Sequence, residues 1–409
     1  MDNIDNITYF VLLSLLFCCL FFESGLLGLI ALVFCFLVLF KIIFRISIKE
    51  LKLETFEKAF LVYFLIVTIS LFASTLFKLS LHGYIKTLTY CLFFYSAGVF
   101  FKFNKNKIFP TIVLVSLFIS YESIIAIIQN AKGVVEISGW QDMTNINPEQ
   151  VISRSYGTLK PYNPNLLAGY LLCGLSSYIY LILNFLKTKK RLLALFFLGL
   201  FFISLIAIID TGCRGAYLGF LFFFPCLFYF LFVEAKKYLD KKKIKKYKAV
   251  ALLGLFSIFG FIIYNPALIK RVQSIFSMRT DSSISFRMNV YESSWHMFLD
   301  NPFLGIGVGN QNFREIYGLY MKTGYDALGS YCVFLEMIVE SGIFSLVVFL
   351  IFIYFVIKKC IRIEDKILGL CVILTIAATL GHGLFDTIWF RPQLQFLFWS
   401  YIAMLKSKD

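Results

Sequence analysis

The sequence predicts an all-α membrane protein of about 12 transmembrane helices with a large extracytoplasmic loop, and three observations predict it. The 409 residues are 59% hydrophobic and 19% aromatic with a mean hydropathy of +0.81, too apolar for a chain whose surface must be hydrated. The apolar runs are continuous and near the ~20 residues that a helix needs to cross a bilayer, whereas barrel strands would be short and alternating. One long stretch, 265–330, mixes charges, aromatics and glycines and holds no run of that length.

In chain order the expected spans are 7–22, 25–44, 59–77, 85–103, 108–129, 163–186, 192–210, 215–233, 249–264, 331–357, 367–385 and 392–405. The first run lacks a basic leading segment and a small-residue cleavage site, so it reads as a retained helix and not a signal peptide. The ten cysteines fall mostly within apolar runs without metal-type spacing and read as small buried hydrophobes. Only Cys213 and Cys332 fall on the outer side of the expected topology.

Lysine and arginine placement sets the expected orientation, because positively charged loops stay in the cytoplasm. With both termini cytoplasmic, the inner segments hold 26 of the 39 basic residues, including KKYLDKKKIKKYK from Lys236. This places the protein in the plasma (inner) membrane as a multi-pass chain, with the loops 130–162 and 265–330 extracytoplasmic. The two basic residue types then separate. Of the lysines, 23 of 29 lie inside, whereas seven of ten arginines lie outside: Arg154, Arg214, Arg271, Arg279, Arg287, Arg314 and Arg391. Lysine is a hydrated point charge and arginine a planar fork suited to phosphate and carboxylate. The lipid bilayer is the first partner, and no nucleic-acid partner is expected.

Glu122, Asp210, Glu336, Glu340 and Asp386 also fall in or beside spans, toward the ends that this topology turns outward. Charges in apolar spans are costly and are usually paired or functional. The expectation is a polar bowl open to the outer leaflet, with no trail of ionisable groups to the other side and no convincing repeat of broken helices between the two halves.

Within that bowl, RSYGTLKPYNPNLLAGYLL begins with Arg154 and carries Asn163, Pro164 and Asn165, which suit a helix start with an Asn cap. An arginine beside free helix N-terminal amides suits an anionic group. DTGCRGAYLGF joins two spans by a short turn, holding Arg214 at the rim, with Gly212 and Gly215 admitting close approach. From Arg287 to about Leu299 the spacing fits an amphipathic helix, in which Trp295 and His296 read as interfacial anchors. Gly305, Gly307 and Gly309 follow; without a preceding strand they read as a tight turn back into the bundle in preference to a phosphate loop.

These same segments, with FLEMIVESGIF from Phe334, resemble the O-antigen ligase and polymerase superfamily over roughly 150–350, and GHGLFDTIWFRPQLQFLFW from Gly381 is similar to the cyanobacterial branch labelled as bicarbonate transporters. The resemblance divides the chain into 1–129, N-terminal helices; 130–264, O-antigen-ligase-like helices; 265–330, the extracytoplasmic loop; and 331–409, C-terminal helices. It implies a glycosyltransferase C-like membrane fold that moves an undecaprenyl-pyrophosphate-linked glycan to a glycan or lipid acceptor hydroxyl, with no metal and no other cofactor. By motif, the arginines that would grip the pyrophosphate are Arg214 and Arg287. The ligases carry a histidine and an asparagine just ahead of the tenth span, where this chain has Ser330, Tyr331 and Cys332.

Substitutes for that histidine are His382, with Asp386 expected one helical turn on to orient it, and Glu336 or Glu340, of which Glu340 is the candidate base. His382 also reads as a contact that packs the last two helices alongside Arg391. The expected catalytic set is thus Arg214, Arg287, His382 and Glu340, and the substrate-binding set is Arg154, Asn163, Asn165, Arg391, Tyr331 and Asp386. Three functions compete: glycan transferase, bicarbonate transporter or transport accessory, and a structural membrane partner. The long loops and the one-sided bowl favour the bulky substrate.

Overall fold

The computed structural model describes residues 2–46, 48–133, 154–238, 282–387 and 389–407. Among them there is no strand, and thirteen α-helices are labelled here in chain order. They are α1 (Asp2–Cys18), α2 (Ser24–Arg45), α3 (Thr55–Ala73), α4 (Phe77–Phe103), α5 (Ile108–Ala131), α6 (Pro164–Lys187), α7 (Arg191–Asp210), α8 (Arg214–Tyr238), α9 (Ser282–Asp300), α10 (Asn310–Tyr317), α11 (Val333–Arg362), α12 (Lys366–His382) and α13 (Pro392–Ala403).

Seven helical stretches are long and apolar enough to cross a membrane: Ser24–Phe44, Thr55–Ala73, Lys105–Ala131, Pro164–Lys187, Arg191–Asp210, Arg214–Val233 and Val333–Arg362. The apolar helices Asn3–Cys18 and Lys366–His382 are shorter. Eleven of the twelve expected spans fall on described helices, and the ninth, 249–264, lies outside the described residues. The protein is an all-α, multi-pass membrane protein. Its side chains agree, since Leu192, Phe72 and Tyr229 are among many large apolar groups that project outward, where lipid and not water satisfies them.

Capping chemistry fixes several starts. Asn163 Oδ1 accepts from the amides of Asn165 (2.8 Å) and Leu166 (3.2 Å) with Pro164 next, as the sequence predicts. Asp365 does the same for α12, accepting from Ile367 N (3.1 Å) and Leu368 N (3.0 Å). α6 is the centre of the bundle: 89% of its apolar window is buried, against α5, α7, α12 and α13. Lipid tails are as apolar as the helices, so polar pairs and small residues hold such contacts. Tyr178 OH meets Ser120 Oγ (2.8 Å) and Ser204 Oγ (3.0 Å), and Ser176 meets Thr375 (2.6 Å). Gly215 and Gly219, four apart on α8, bring it against α12, where a Cβ on Gly219 would lie 2.9 Å from the Ala378 carbonyl oxygen.

The two ends of the bundle differ in charge. At one end, lysines tie distant helices together: Lys41–Asp5 (2.5 Å), Lys359–Glu54 (3.0 Å) and Lys406–Glu57 (2.5 Å). At the other end gather Arg154, Arg214, Arg287 and Arg391, on or beside the starts of α6, α8, α9 and α13.

α11 is not one helix. Ser341 (φ −133°, ψ 15°) and Gly342 (φ 74°, ψ 173°) break it after Glu340. The carbonyls and amides freed by the break are taken up by the turn after α9: Ile306 N donates to Val339 O (2.9 Å), Gly307 N to Glu340 O (2.9 Å), and Ile343 N to Pro302 O (2.9 Å). Ser70 Oγ on α3 also donates to Glu340 O (2.6 Å). Irregular backbone within a membrane protein persists only where such partners exist. The three glycines of that turn make the expected tight return and do not form a phosphate loop, because the Gly309 amide is held by Glu340 Oε1 (2.9 Å).

Gly342→Ala should therefore destabilise strongly. Its Cβ would stand 1.9 Å from Phe303 O at a positive φ, a conformation that alone costs on the order of 1–3 kcal/mol. Thermal unfolding in detergent should show a loss of about 2 kcal/mol or more, whereas Gly25→Ala, with open space around it, stays within about 0.5 kcal/mol. Equal stabilities would contradict the account of the break.

Candidate functional site

The arginine end is assembled from side chains that first fix the backbone before α6. Gln129 Oε1 on α5 accepts from Tyr156 N (3.0 Å) and Gly157 N (2.9 Å), and its amide donates back to Gly157 O (3.0 Å). Glu122, one helical face below, accepts from Thr158 N (2.9 Å) and from the Thr158 hydroxyl. Ser155 donates through its hydroxyl to Ala126 O (2.7 Å) and through its amide to Asp210 O (3.2 Å). These bonds set where Arg154 emerges.

Arg154 Nε donates to Thr211 O (2.9 Å), and its Nη2 donates to Asn165 Oδ1 (2.6 Å). The Asn165 amide donates to Asp386 Oδ2 (2.6 Å), and Arg287 Nη2 reaches that same oxygen at 3.1 Å. One carboxylate thus holds Arg287 directly and Arg154 through Asn165. The pair is enclosed, with side-chain exposures of 12% for Arg287 and 6% for Asp386. Burial works against the Arg287 charge, but Asp386, with smaller help from Tyr291, Cys213 and Tyr331, holds its pKa above the ordinary value. The guanidinium also stands over the Tyr331 ring, 5.6 Å from its centre.

Tyr331 is one of the three residues, with Ser330 and Cys332, near which the resemblance places the ligase histidine. It has a positive φ of 53°, and its carbonyl accepts from Tyr291 OH (3.1 Å). Burial pushes its phenol well above the ordinary value and Asp386 adds to this, so it is protonated at neutral pH. It does not replace a base.

The expectation for His382 and Asp386 needs correction. α12 ends at His382, so Asp386 does not lie on its next turn, and the carboxylate faces Asn165 and Arg287. The imidazole Nε2 instead lies 3.2 Å from Cys213 Sγ, at the turn before α8. Its Nδ1 is buried without a hydrogen-bond partner, and Gly215 lets the ring lie against α8. Burial alone would raise the Cys213 thiol, but His382 reverses this and leaves it below the ordinary thiol range. Cys213 is enclosed, Cys332 half-buried, and all ten cysteines are free thiols.

Of the other expected residues, Arg214 begins α8 directly after Cys213 and is half-buried. Arg391 precedes α13 with its guanidinium 4.7 Å from the centre of the Phe390 ring. Burial lowers its pKa, with Glu23, Tyr90 and Asp386 opposing. The Asn163 side-chain oxygen is engaged in the α6 cap. Glu340 lies apart from His382, in a neighbouring cavity of about 120 Å³ that it lines with Glu336, His82, Lys86, Trp389 and Trp399. Gly329 packs beside both Glu336 and Thr387: a Cβ on it would be 2.9 Å from Glu336 Oε2 and 2.8 Å from the Thr387 methyl.

Sequence reasoning missed the Cys213–His382 contact and the holding role of Gln129. The first joins positions 169 apart in the chain and left no local signal. The second had one, a glutamine and an asparagine closing the span.

Residues 199–350 match the family model described as O-antigen ligase. The match includes Cys213, Arg214, Arg287, Tyr331, Glu336 and Glu340, and it supports the resemblance to the O-antigen ligase and polymerase superfamily and an O-antigen ligase-like glycan-transfer function. It does not reach the level of a cyanobacterial branch. No curated protein matches the chain.

The shared carboxylate makes a measurable prediction. Asp386→Leu alone strands the Arg287 charge and should cost about 3 kcal/mol of stability. Combining Asp386→Leu with Arg287→Met should restore part of it, with a coupling of at least about 1 kcal/mol in a double-mutant cycle. Additive losses would contradict the pairing.

Proposed function

We propose that the protein is an O-antigen ligase-like glycan transferase that moves a polyprenyl-pyrophosphate-linked saccharide to an acceptor hydroxyl on the outer face of the plasma (inner) membrane. The observation that supports this reading is the Arg154–Asn165–Asp386–Arg287 chain, in which one buried carboxylate holds the Arg287 guanidinium directly and the Arg154 guanidinium through Asn165. Guanidinium forks held in place in this way suit a pyrophosphate. Arg214 and Arg391 flank it.

In the reaction the acceptor hydroxyl oxygen attacks the anomeric carbon. The bond from that carbon to the pyrophosphate oxygen breaks, and its electron pair leaves with the pyrophosphate. Negative charge grows there in the transition state, and fixed guanidiniums stabilise it without reorganising. Tyr331, protonated and beside Arg287, can donate to the same group. The hydroxyl proton passes to a base, for which Glu340 is favoured because it lines an accessible cavity, while His382 is fully enclosed and serves to hold α8 and α12 in place. The lysine-rich end of the bundle supports an orientation with both termini cytoplasmic, which turns the arginine end outward.

The test is the surface glycan of the host. Arg214→Ala and Arg287→Ala should each lower high-molecular-weight glycan by roughly a hundredfold or more. Arg287→Lys, which keeps charge but loses the fork, should restore only part. An unchanged glycan profile in both alanine variants would overturn the proposal.

A further inference from the structure

The cavity beside the arginine cluster has a chemistry of its own. We infer that it is the acceptor subsite, built for a neutral, hydroxyl-rich ligand: the terminal sugar of the acceptor. The inference rests on the glycan-transfer reading for the word acceptor, but the binding chemistry stands on the cavity itself.

The cavity of about 120 Å³ lies between α3, α4, α10, α11 and the start of the last helical segment. That is room for roughly four waters at ~30 Å³ each, or for the ring of a sugar entering from the rim. Its floor is buried and aromatic, formed by Phe60, Tyr90 and Trp399. Its rim is polar and exposed, formed by His82, Lys86 and Gln311. Flat aromatic walls with hydrogen-bonding groups at their edge meet the two faces of a sugar, apolar C–H above and hydroxyls around.

Two carboxylates sit on one face of the first half of α11, four residues apart. They are not equivalent. Glu340 Oε1 is committed to the Gly309 amide at 2.9 Å. Glu336 is only 7% exposed, and its Oε2 has no hydrogen-bond partner. A buried carboxylate oxygen without a donor is costly, so the position is set up for a donor brought by a ligand. Hydroxyls supply such donors. An anion does not. A metal ion lacks a ligand set, because among the described residues no group of three His, Cys, Asp or Glu side chains could hold one. Thr387 links the two sites, since it follows Asp386 in the chain and lies beside Glu336 across Gly329. A sugar in the cavity is therefore next to the pyrophosphate end of the donor.

The test is binding, independent of transfer. The full chain in detergent is titrated with methyl glucoside, methyl galactoside and N-acetylglucosamine while tryptophan fluorescence is followed, since Trp389 and Trp399 line the cavity. At least one sugar should give saturable quenching. Glu336→Gln, which keeps the shape and replaces one acceptor oxygen with an NH2 donor, should weaken it about tenfold or more. Lys322→Met, exposed and outside the cavity lining, should leave it within about twofold. Trp399→Phe gives a second reading if Glu336→Gln does not fold, and it too should weaken binding. No saturable response to any of the three sugars, unchanged affinity in the folded Glu336→Gln or Trp399→Phe variant, or tighter binding in Glu336→Gln would overturn the subsite. If Arg287→Ala leaves surface glycan intact, the transfer reading fails while the sugar titration still decides the cavity.

Discussion

One buried carboxylate organises the arginine end of the molecule. Asp386 accepts from Asn165 and from Arg287, and through Asn165 it also holds Arg154. A charge removed from water must be paired and hydrogen-bonded or it is expensive. Satisfying this one draws together the backbone before α6, the amphipathic α9 and the connection between α12 and α13. The opposite end meets the same requirement differently. Lys406 and Glu57 are 3% and 1% exposed, a sealed pair, whereas Arg287 and Asp386 remain partly reachable at 12% and 6%. The sealed pair is suited to hold the bundle, and the reachable one to exchange partners with a ligand.

The break in α11 is the second constraint. Ending the first half of the helix at Glu340 turns its carbonyl toward Ser70 and Gly307, and the Gly309 amide toward its carboxylate. One irregularity therefore fixes the turn after α9 and the wall of the cavity. It also explains why a loop rich in glycine lies so close to an acidic helix face. At Gly83 and Gly309 the backbones of α4 and this turn nearly touch, with no room for a Cβ.

Much of this fold was legible because a bilayer imposes length on apolar runs. Eleven of the expected spans coincide with described helices, though α3 begins at Thr55 and α4 at Phe77, each several residues earlier than expected. Those first turns carry charges that a hydropathy argument excludes but a helix at the membrane surface tolerates. The Ser341–Gly342 break had a signal, since such pairs are frequent kink sites, yet FLEMIVESGIF reads as one run. Within the site, local motifs pointed to Arg154, Asn165, Arg214 and Arg287 because caps and short turns are encoded by neighbours. The links among them are not encoded that way: Arg287 reaches Asp386 across 99 positions and Asn165 reaches it across 221. The pairing assumed for His382 and Asp386 failed because Gly383 follows the last helical residue, and the i, i+4 rule holds only while the helix continues.

The central claim is that the arginine end holds a pyrophosphate. Native mass spectrometry of the detergent-purified chain mixed with polyprenyl pyrophosphate or with uncharged polyprenol tests it directly. The account predicts selective retention of the pyrophosphate lipid by the wild-type chain and loss of that preference in Arg287→Ala. Equal retention of both lipids, or a preference that survives the substitution, would contradict it.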